Sequence, residues 1–307
     1  MARIKEIFAV SPAIKRIVFE PGDGNLFPAA AAGAHVIVSI PGPSRIWKNA
    51  YSLVSKPGER GTYEIIVRRV AHSRGGSAWL HDHAEIGQMI DLSLPSNLFP
   101  IDWLAGKHLL LSAGIGMTPF LSYLPALAQA GAAFEWHQTC NSSEAAAFKS
   151  LLPAAAKVVL HTSRNSLNVA ELLARQKLNT HLYVCGPAGF MDTVTATAIR
   201  LGWPAAKLHT ESFGGATGGA PFKVRLARAG ITLDVGPEES LLEALEAAGI
   251  NAPCLCRGGA CGECELPVLG GMPDHHDHFL SEAKRAAGTA IMTCVSRAKT
   301  PELILDL

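Results

Sequence analysis

The sequence predicts a multidomain chain joining an all-β part to α/β parts, and three observations predict it. Residues 1–102 consist of short β-prone runs separated by Gly and Pro, the pattern of a small antiparallel barrel. Residues 103–213 alternate strands with helices, which builds a doubly wound parallel sheet. Residues 222–307 carry Cys256, Cys261 and Cys264 in a C-x4-C-x2-C pattern, with Cys294 further on. A chain of 307 residues is long enough for two or three such domains.

In the barrel region the β-prone runs are Ile14 to Phe19, His35 to Ile40, Tyr63 to Val70 and Met89 to Leu94. Turn signals at Pro21-Gly22-Asp23-Gly24, Pro41-Gly42-Pro43 and Pro57-Gly58 separate them. One helix is expected after Gly75-Gly76-Ser77. In the next region, Lys107 to Ser112 is an apolar strand. The loop Ala113-Gly114-Ile115-Gly116-Met117 follows it. A helix then opens with Thr118 as N-cap and Pro119 at its first position, and Gly131 marks its end. Later strands are expected at Ala133 to Thr139, Lys157 to Thr162 and His181 to Cys185.

Residues 214–221, G-G-A-T-G-G-A-P, read as a flexible linker. Beyond it, strands are expected at Phe222 to Ala227 and Ile231 to Val235. Ser240-Leu241-Leu242-Glu243 is a capping box that opens a helix ending at Gly249.

The cysteine loop follows that helix, and its spacing is that of a plant-type 2Fe–2S cluster. Soft thiolates suit iron in a sulfide core. Gly258, Gly259 and Gly262 let the loop wrap tightly, with backbone N–H groups aimed at sulfur. Zinc sites usually show two C-x2-C-type pairs, which x4 followed by x2 fits poorly. Cys254 reads as a packed thiol rather than a fifth ligand. In Asp274-His275-His276-Asp277-His278 contiguous side chains cannot all face one ion, so no metal site is expected there.

Formal net charge is +1, which argues against nucleic acid as a partner. The charge is unevenly spread. Residues 222–307 hold 8 Lys/Arg against 12 Asp/Glu, a net of −4, and the remainder holds 19 against 14, a net of +5. An acidic C-terminal domain suits a basic external partner. The first ten residues lack the apolar stretch of a signal peptide, and the apolar region Leu109 to Phe134 is broken by Gly and Pro. Neither feature suggests a membrane, and seven cysteines, four of them cluster ligands, fit a reducing cytoplasm.

At Lys48-Asn49-Ala50-Tyr51-Ser52-Leu53 the chain resembles the R-x-Y-S-[LT] flavin motif of the ferredoxin-reductase superfamily. With the cysteine loop at the C-terminus, the whole chain resembles the phthalate dioxygenase reductase family. The resemblance implies an FMN barrel over 1–102, an NAD domain over 103–213 and a β-grasp ferredoxin domain over 222–307. It implies that Tyr51 lies against the flavin and Ser52 bonds near its N5. The usual arginine is Asn49 here, so Lys48, Arg68 and Arg74 become candidates to face the flavin phosphate, beside Val67. Ser73-Arg74-Gly75-Gly76-Ser77 is similar to the family's phosphate loop at a helix N-terminus. FMN is expected over FAD because the family with this compact layout uses FMN.

Gly114, Gly116, Met117, Thr118 and Pro119 resemble the family's G-x-G-x-T-P loop, whose amides face a nicotinamide pyrophosphate. Cys185-Gly186-Pro187 resembles the turn beside the nicotinamide ring, and Phe213 would stack on the flavin; both also read as ordinary core packing. Cys140 is either near the cofactor or merely buried. Asn141 replaces a family arginine, and Ser163-Arg164 could hold a 2′-phosphate, so NADH is expected and NADPH stays open. A nicotinamide would then reduce the flavin, and single electrons would leave through the cluster to a terminal Rieske-type oxygenase. A haem oxygenase, a small carrier protein, or a non-catalytic redox sensor without flavin are the other readings.

Overall fold

The computed structural model describes residues 1–307 except 43–45, 71–74, 154–156, 164–165 and 214–217. Two compact units emerge, Met1–Phe213 and Gly214–Leu307. Ser73, Arg74 and Arg164, named above, lie outside the described residues, as do four residues of the expected linker.

The first unit begins with β1 (Ala2–Ser11), β2 (Ile14–Pro21), β3 (His35–Pro41), β4 (Ile46–Ser52) and β5 (Tyr63–Arg68). After α1 (Gly76–Asp82) comes β6 (Met89–Leu92). The sheet order is β4-β3-β6-β1-β2-β5, with all pairings antiparallel. A bridge from Leu53 to Ile65 joins the two outer strands and closes the sheet into a barrel. Closure removes the exposed edges that an open sheet would leave. Its interior is filled by Ile4, Ile17, Phe19, Val36, Val38, Ile40 and Val67. β1 and β4 were not among the expected strands. In A-R-I-K-E-I-F-A-V-S, polar residues interrupt the apolar ones, and pairing with β2 decides the conformation.

The same unit continues with β7 (Lys107–Ala113), α2 (Thr118–Gln129), β8 (Phe134–Thr139), α3 (Ala145–Leu151) and β9 (Val158–His161). It ends with α4 (Val169–Ala174), β10 (Thr180–Cys185), α5 (Ala188–Arg200) and β11 (Leu208–Glu211). The order β11-β10-β7-β8-β9 is parallel throughout. Strand order reverses between β10 and β7, and ligands of such sheets bind at the strands' carboxyl ends there. Thr118 differs from the expected N-cap. A 3-10 turn over Gly114–Met117 runs straight into α2, so Thr118 is the first helical residue, and its hydroxyl donates back to the Ile115 carbonyl at 3.1 Å. Gly131 takes φ +61° just past the helix, as expected. Barrel and sheet pack closely. The Gly33 N–H donates to Ser122 Oγ of α2 at 2.9 Å, and a Cβ on Gly33 would come within 2.2 Å of the Phe99 carbonyl oxygen.

The second unit holds β12 (Phe222–Leu226), β13 (Ile231–Val235), α6 (Leu241–Ala247) and β14 (Glu265–Gly270). β15 (Pro273–Asp274), α7 (Glu282–Ala287), β16 (Ala290–Met292), β17 (Arg297–Ala298) and β18 (Glu302–Leu305) complete it. A mixed sheet in the order β13-β12-β18-β14-β16 packs on α6, as a β-grasp does. The capping box forms in full. Ser240 Oγ accepts the Glu243 N–H at 3.1 Å, and the Glu243 carboxylate accepts the Ser240 N–H at 2.8 Å. Leu241, Leu242 and Leu245 are fully buried, each contributing roughly 1.5–3 kcal/mol. The described end of the expected linker is tethered rather than free. Arg297, itself buried, donates to the carbonyls of Ala220, Gly236 and Glu239. Among the described residues, no helix is long and apolar enough to cross a membrane.

Candidate functional site

β4 splits its motif between two faces. Trp47, Asn49 and Tyr51 pair with Ile40, Val38 and Val36, so they share the barrel's inner side. Lys48, Ala50 and Ser52 take the opposite side. On the inner side the strand meets the start of α1. A Cβ on Gly75 would stand 2.1 Å from the Trp47 ring, and one on Gly76 would stand 2.5 Å from Asn49 Nδ2. The two glycines are therefore required for close approach, and Gly75 also takes φ +129°. Asn49 Nδ2 donates to the Tyr51 hydroxyl at 3.1 Å. Burial pushes that hydroxyl up to about 12, so it stays protonated. Ser52 is buried, yet its Oγ has no hydrogen-bond partner among the described residues. A buried hydroxyl without a partner costs stability unless a ligand supplies one. That orphan fits a polar ring atom laid against the strand.

Arg68 stands apart from this cradle. It pairs with Glu144 at 2.8 Å, and its Nη1 lies 3.6 Å from where a Cβ on Gly114 would be. The barrel thus places a cation beside the Gly114 loop. Val67 is buried in the barrel, and its carbonyl faces His81 Nε2 at 3.0 Å.

At the strand-order reversal, two loops touch. A Cβ on Gly116 would sit 2.3 Å from the Cys185 carbonyl oxygen and 2.7 Å from the Gly186 amide nitrogen. Gly114 takes φ +55°. Cys185 is fully buried, and burial followed by the nearby Glu211 pushes its thiol well up, so it is neutral. Pro187 is the N-cap of α5, and Phe213 is exposed. Cys140 is half-buried and its N–H donates to the His161 carbonyl at 2.9 Å. Asn141 reaches Glu144, and the Ser163 N–H meets Ser166 Oγ at 3.4 Å.

Sequence reasoning missed the group beneath this loop. Trp136 Nε1 donates to Ser112 Oγ at 2.7 Å, and Ser112 Oγ donates in turn to Gln138 Oε1. Gln138 Nε2 donates to the Gly114 carbonyl at 3.0 Å. Ser112, Trp136 and Gln138 are all fully buried. A satisfied polar chain of this kind fixes the loop's height above the sheet. The signal was a glutamine and a serine inside otherwise apolar strands.

In the second unit four cysteines converge. Cys264 and Cys294 have sulfurs 3.1 Å apart, and Cys256 Sγ accepts the N–H groups of Gly258 at 3.3 Å and Ala260 at 3.5 Å. Hydrogen bonds from Cys261 and Cys294, then those amides, pull the Cys256 thiol strongly down toward thiolate. Four convergent cysteine sulfurs with amide donors on one of them fit an iron–sulfur core. Gly259 and Gly262 take φ +72° and +84°, and a Cβ on either would strike Val295 or the Phe279 ring. Arg257, at φ +54°, is held there by an ion pair with Glu246 of α6. Cys254 Sγ faces the Arg257 guanidinium at 3.9 Å.

The Asp274–His278 stretch leaves β15 at Asp274 and continues without regular structure. Asp277 is buried and accepts the Phe279 and Leu280 N–H groups, while His276 bonds Asp274 at 2.9 Å.

A family model described as a 2Fe-2S iron-sulfur cluster binding domain matches residues 224–299. Another, described as an oxidoreductase FAD-binding domain, matches residues 2–100. The chain is 42% identical to the heme-dependent oxidative N-demethylase beta subunit of Ectopseudomonas mendocina, covering 99% of this chain and 98% of that protein. It is 38% identical to the carnitine monooxygenase reductase subunit of Acinetobacter pittii, over 97% and 99%. The solved structure of phthalate dioxygenase reductase superposes with a TM-score of 0.87 at 33% identity, covering 100% of this chain and 97% of that one.

Proposed function

The chain belongs to the phthalate dioxygenase reductase family, and from that premise we propose how its residues divide the work of an NAD(P)H-dependent flavin and iron–sulfur reductase. Residues 1–102 hold the flavin, 103–213 the nicotinamide nucleotide and 222–307 the 2Fe–2S cluster, with 214–221 as the joint. When bound, the flavin takes two electrons from the nicotinamide and the cluster passes them on singly. We take the flavin to be FMN, since the compact family layout uses it. Acid release followed by phosphodiesterase digestion and chromatography distinguishes FMN from FAD.

Ser52 would donate to the flavin's ring edge through a hydroxyl that has no partner among the described residues. Tyr51 supports the flavin with a ring held by Asn49 and a proton it does not lose. Gly75, Gly76 and Ser77 would receive the phosphate at the start of α1. Arg68, beside Gly114, serves the nucleotide's pyrophosphate instead. Glu144 holds that guanidinium in place until the anion arrives. Gly116 and Gly186 keep the two crevice loops in contact, where a neutral Cys185 would border the nicotinamide, while Phe213 would stack against the flavin. Cys256, Cys261, Cys264 and Cys294 ligate the cluster.

The observation that carries this reading is the four-cysteine centre with its amide donors, in a chain that matches the family from end to end. The external acceptor is a terminal oxygenase that docks transiently, guided by the acidic ferredoxin unit. A Rieske-type centre is one such acceptor. A haem protein is favoured as the second reading by the relative whose name is heme-dependent. Mixing NADH-reduced protein with each class of acceptor, and following the acceptor's own absorbance, separates the two. The cofactor choice stays with NADH, tested by comparing reduction rates with NADH and NADPH. We place the reductase in the cytoplasm, where its thiolates stay reduced.

A further inference from the structure

Away from the crevice, three potential ligands from separate segments meet in the first unit. His181 is the second residue of β10, His209 the second of β11, and Asp102 lies in the segment leading into β7. His181 Nδ1 stands 3.1 Å from His209 Nε2 and 3.3 Å from Asp102 Oδ2, and all three atoms lie within 4.8 Å of one another. Ligand atoms bound at about 2.0–2.1 Å on a tetrahedral zinc sit about 3.3 Å from each other. The protein therefore already holds two of the three separations at tetrahedral spacing.

Hydrogen bonding alone accounts poorly for this arrangement. A ring nitrogen carries either one proton or one lone pair. If His181 Nδ1 donates, its single proton must be shared between the Asp102 carboxylate and the His209 Nε2 lone pair. If it accepts from His209, it faces the carboxylate with a lone pair. A cation at the centre accepts all three lone pairs at once.

We propose that Asp102, His181 and His209 form a binding site for a zinc-class divalent cation, separate from the four-cysteine centre, with water at the fourth corner. Two imidazoles and one carboxylate are a donor set suited to zinc. The surroundings hold these ligands in place. Asp102 Oδ1 accepts the Leu104 N–H at 2.9 Å, the Asp102 N–H donates to the Tyr183 hydroxyl at 2.8 Å, and the Tyr183 ring stacks on His209 at 4.4 Å. Burial, then neighbouring histidine, pulls the His209 ring down; burial does the same to His181 despite Asp102. Neutral imidazoles bind a metal without first losing a proton. The Asp102 side chain is 34% exposed, which leaves an entry path, while His181 is nearly enclosed. His108 is close by, but its ring nitrogens face the carbonyls of Asp102 and Ala133. Lys207 directs its ammonium to the Leu178 carbonyl at 2.6 Å. The cation would tie the segment entering β7 to β10 and β11.

The test uses the full chain with its iron and flavin contents measured first. After treatment with a mild chelator, it is dialysed against zinc and analysed for metal. One zinc per chain is expected alongside unchanged iron. The zinc X-ray absorption spectrum should fit nitrogen and oxygen neighbours only. His209→Ala and the shape-conserving Asp102→Asn should each weaken zinc binding by about 100-fold or more, since even outer partners cost 10–100-fold, while iron and flavin stay bound. No bound zinc in the wild-type chain, sulfur in the zinc shell, or unchanged affinity in both variants would overturn the proposal.

Discussion

Gly116→Ala tests the contact between the two crevice loops. The added Cβ would lie 2.3 Å from the Cys185 carbonyl oxygen and 2.5 Å from its carbon, where ordinary contacts are 3.4–4 Å. Both are backbone atoms of a fully buried residue, so no side chain can swing away. The Cys185–Gly186 peptide must move by about 1 Å, which is the difference between the two distances. Overpacking of this kind costs about 1–3 kcal/mol. For a unit of this size that lowers the melting temperature by about 2–4 °C per kcal/mol. A displacement of about 1 Å between reacting partners can slow a reaction about 100-fold. Stopped-flow reduction by NADH, followed at the flavin's absorbance, should therefore be slower by about that factor. Dithionite reduction and the iron content should be unchanged. Wild-type NADH kinetics in a Gly116→Ala protein of unchanged stability would refute the reasoning.

Ser52→Ala removes a hydroxyl with no partner among the described residues, so melting should not fall, while NADH-driven flavin reduction slows about 3–10-fold, the worth of one hydrogen bond. A faster or equal rate would count against contact with the flavin. Cys261→Ser should abolish electron delivery to one-electron protein acceptors yet spare flavin reduction by nicotinamide; equal loss of both would contradict the order of transfer. Arg68→Ala should raise the KM for the nucleotide by about tenfold without loss of flavin, and the opposite pattern would return Arg68 to the flavin phosphate. Burial alone would raise the Glu135 carboxyl, but hydrogen bonds from Lys107, His137 and Gln176 bring it down to about 2 from an ordinary 4.5. A folded-state value below the unfolded one stabilises the fold above pH 4.5, and that contribution fades as pH falls toward 2. Thermal melts across that window should show wild type losing stability faster than Glu135→Gln, and parallel curves would contradict the assignment.

The cysteine loop was legible because its spacing is local and each glycine has one job; Gly259 and Gly262 indeed hold φ values that other residues avoid. The parallel sheet was legible from strand–helix alternation, and the capping box of α6 from four consecutive residues. Features set by distant pairing were not. β1 and β4 exist because of their partners rather than their own pattern. Thr118 moved from cap to first helical residue because a 3-10 turn precedes α2. Arg68 is one residue after a buried barrel strand position, and nothing local to it tells that Gly114 and Glu144 lie beside it. The Trp136–Ser112–Gln138 chain crosses from β8 to β7, so only the sheet register assembles it. The Asp102–His181–His209 group likewise needs three separate segments.

Electron paramagnetic resonance at low temperature during an anaerobic NADH titration tests the central claim most directly. The account predicts that NADH alone bleaches the flavin and then raises the signal of a reduced 2Fe–2S centre in the same protein. A cluster signal that dithionite produces and NADH never does, despite a fully bleached flavin, would contradict it.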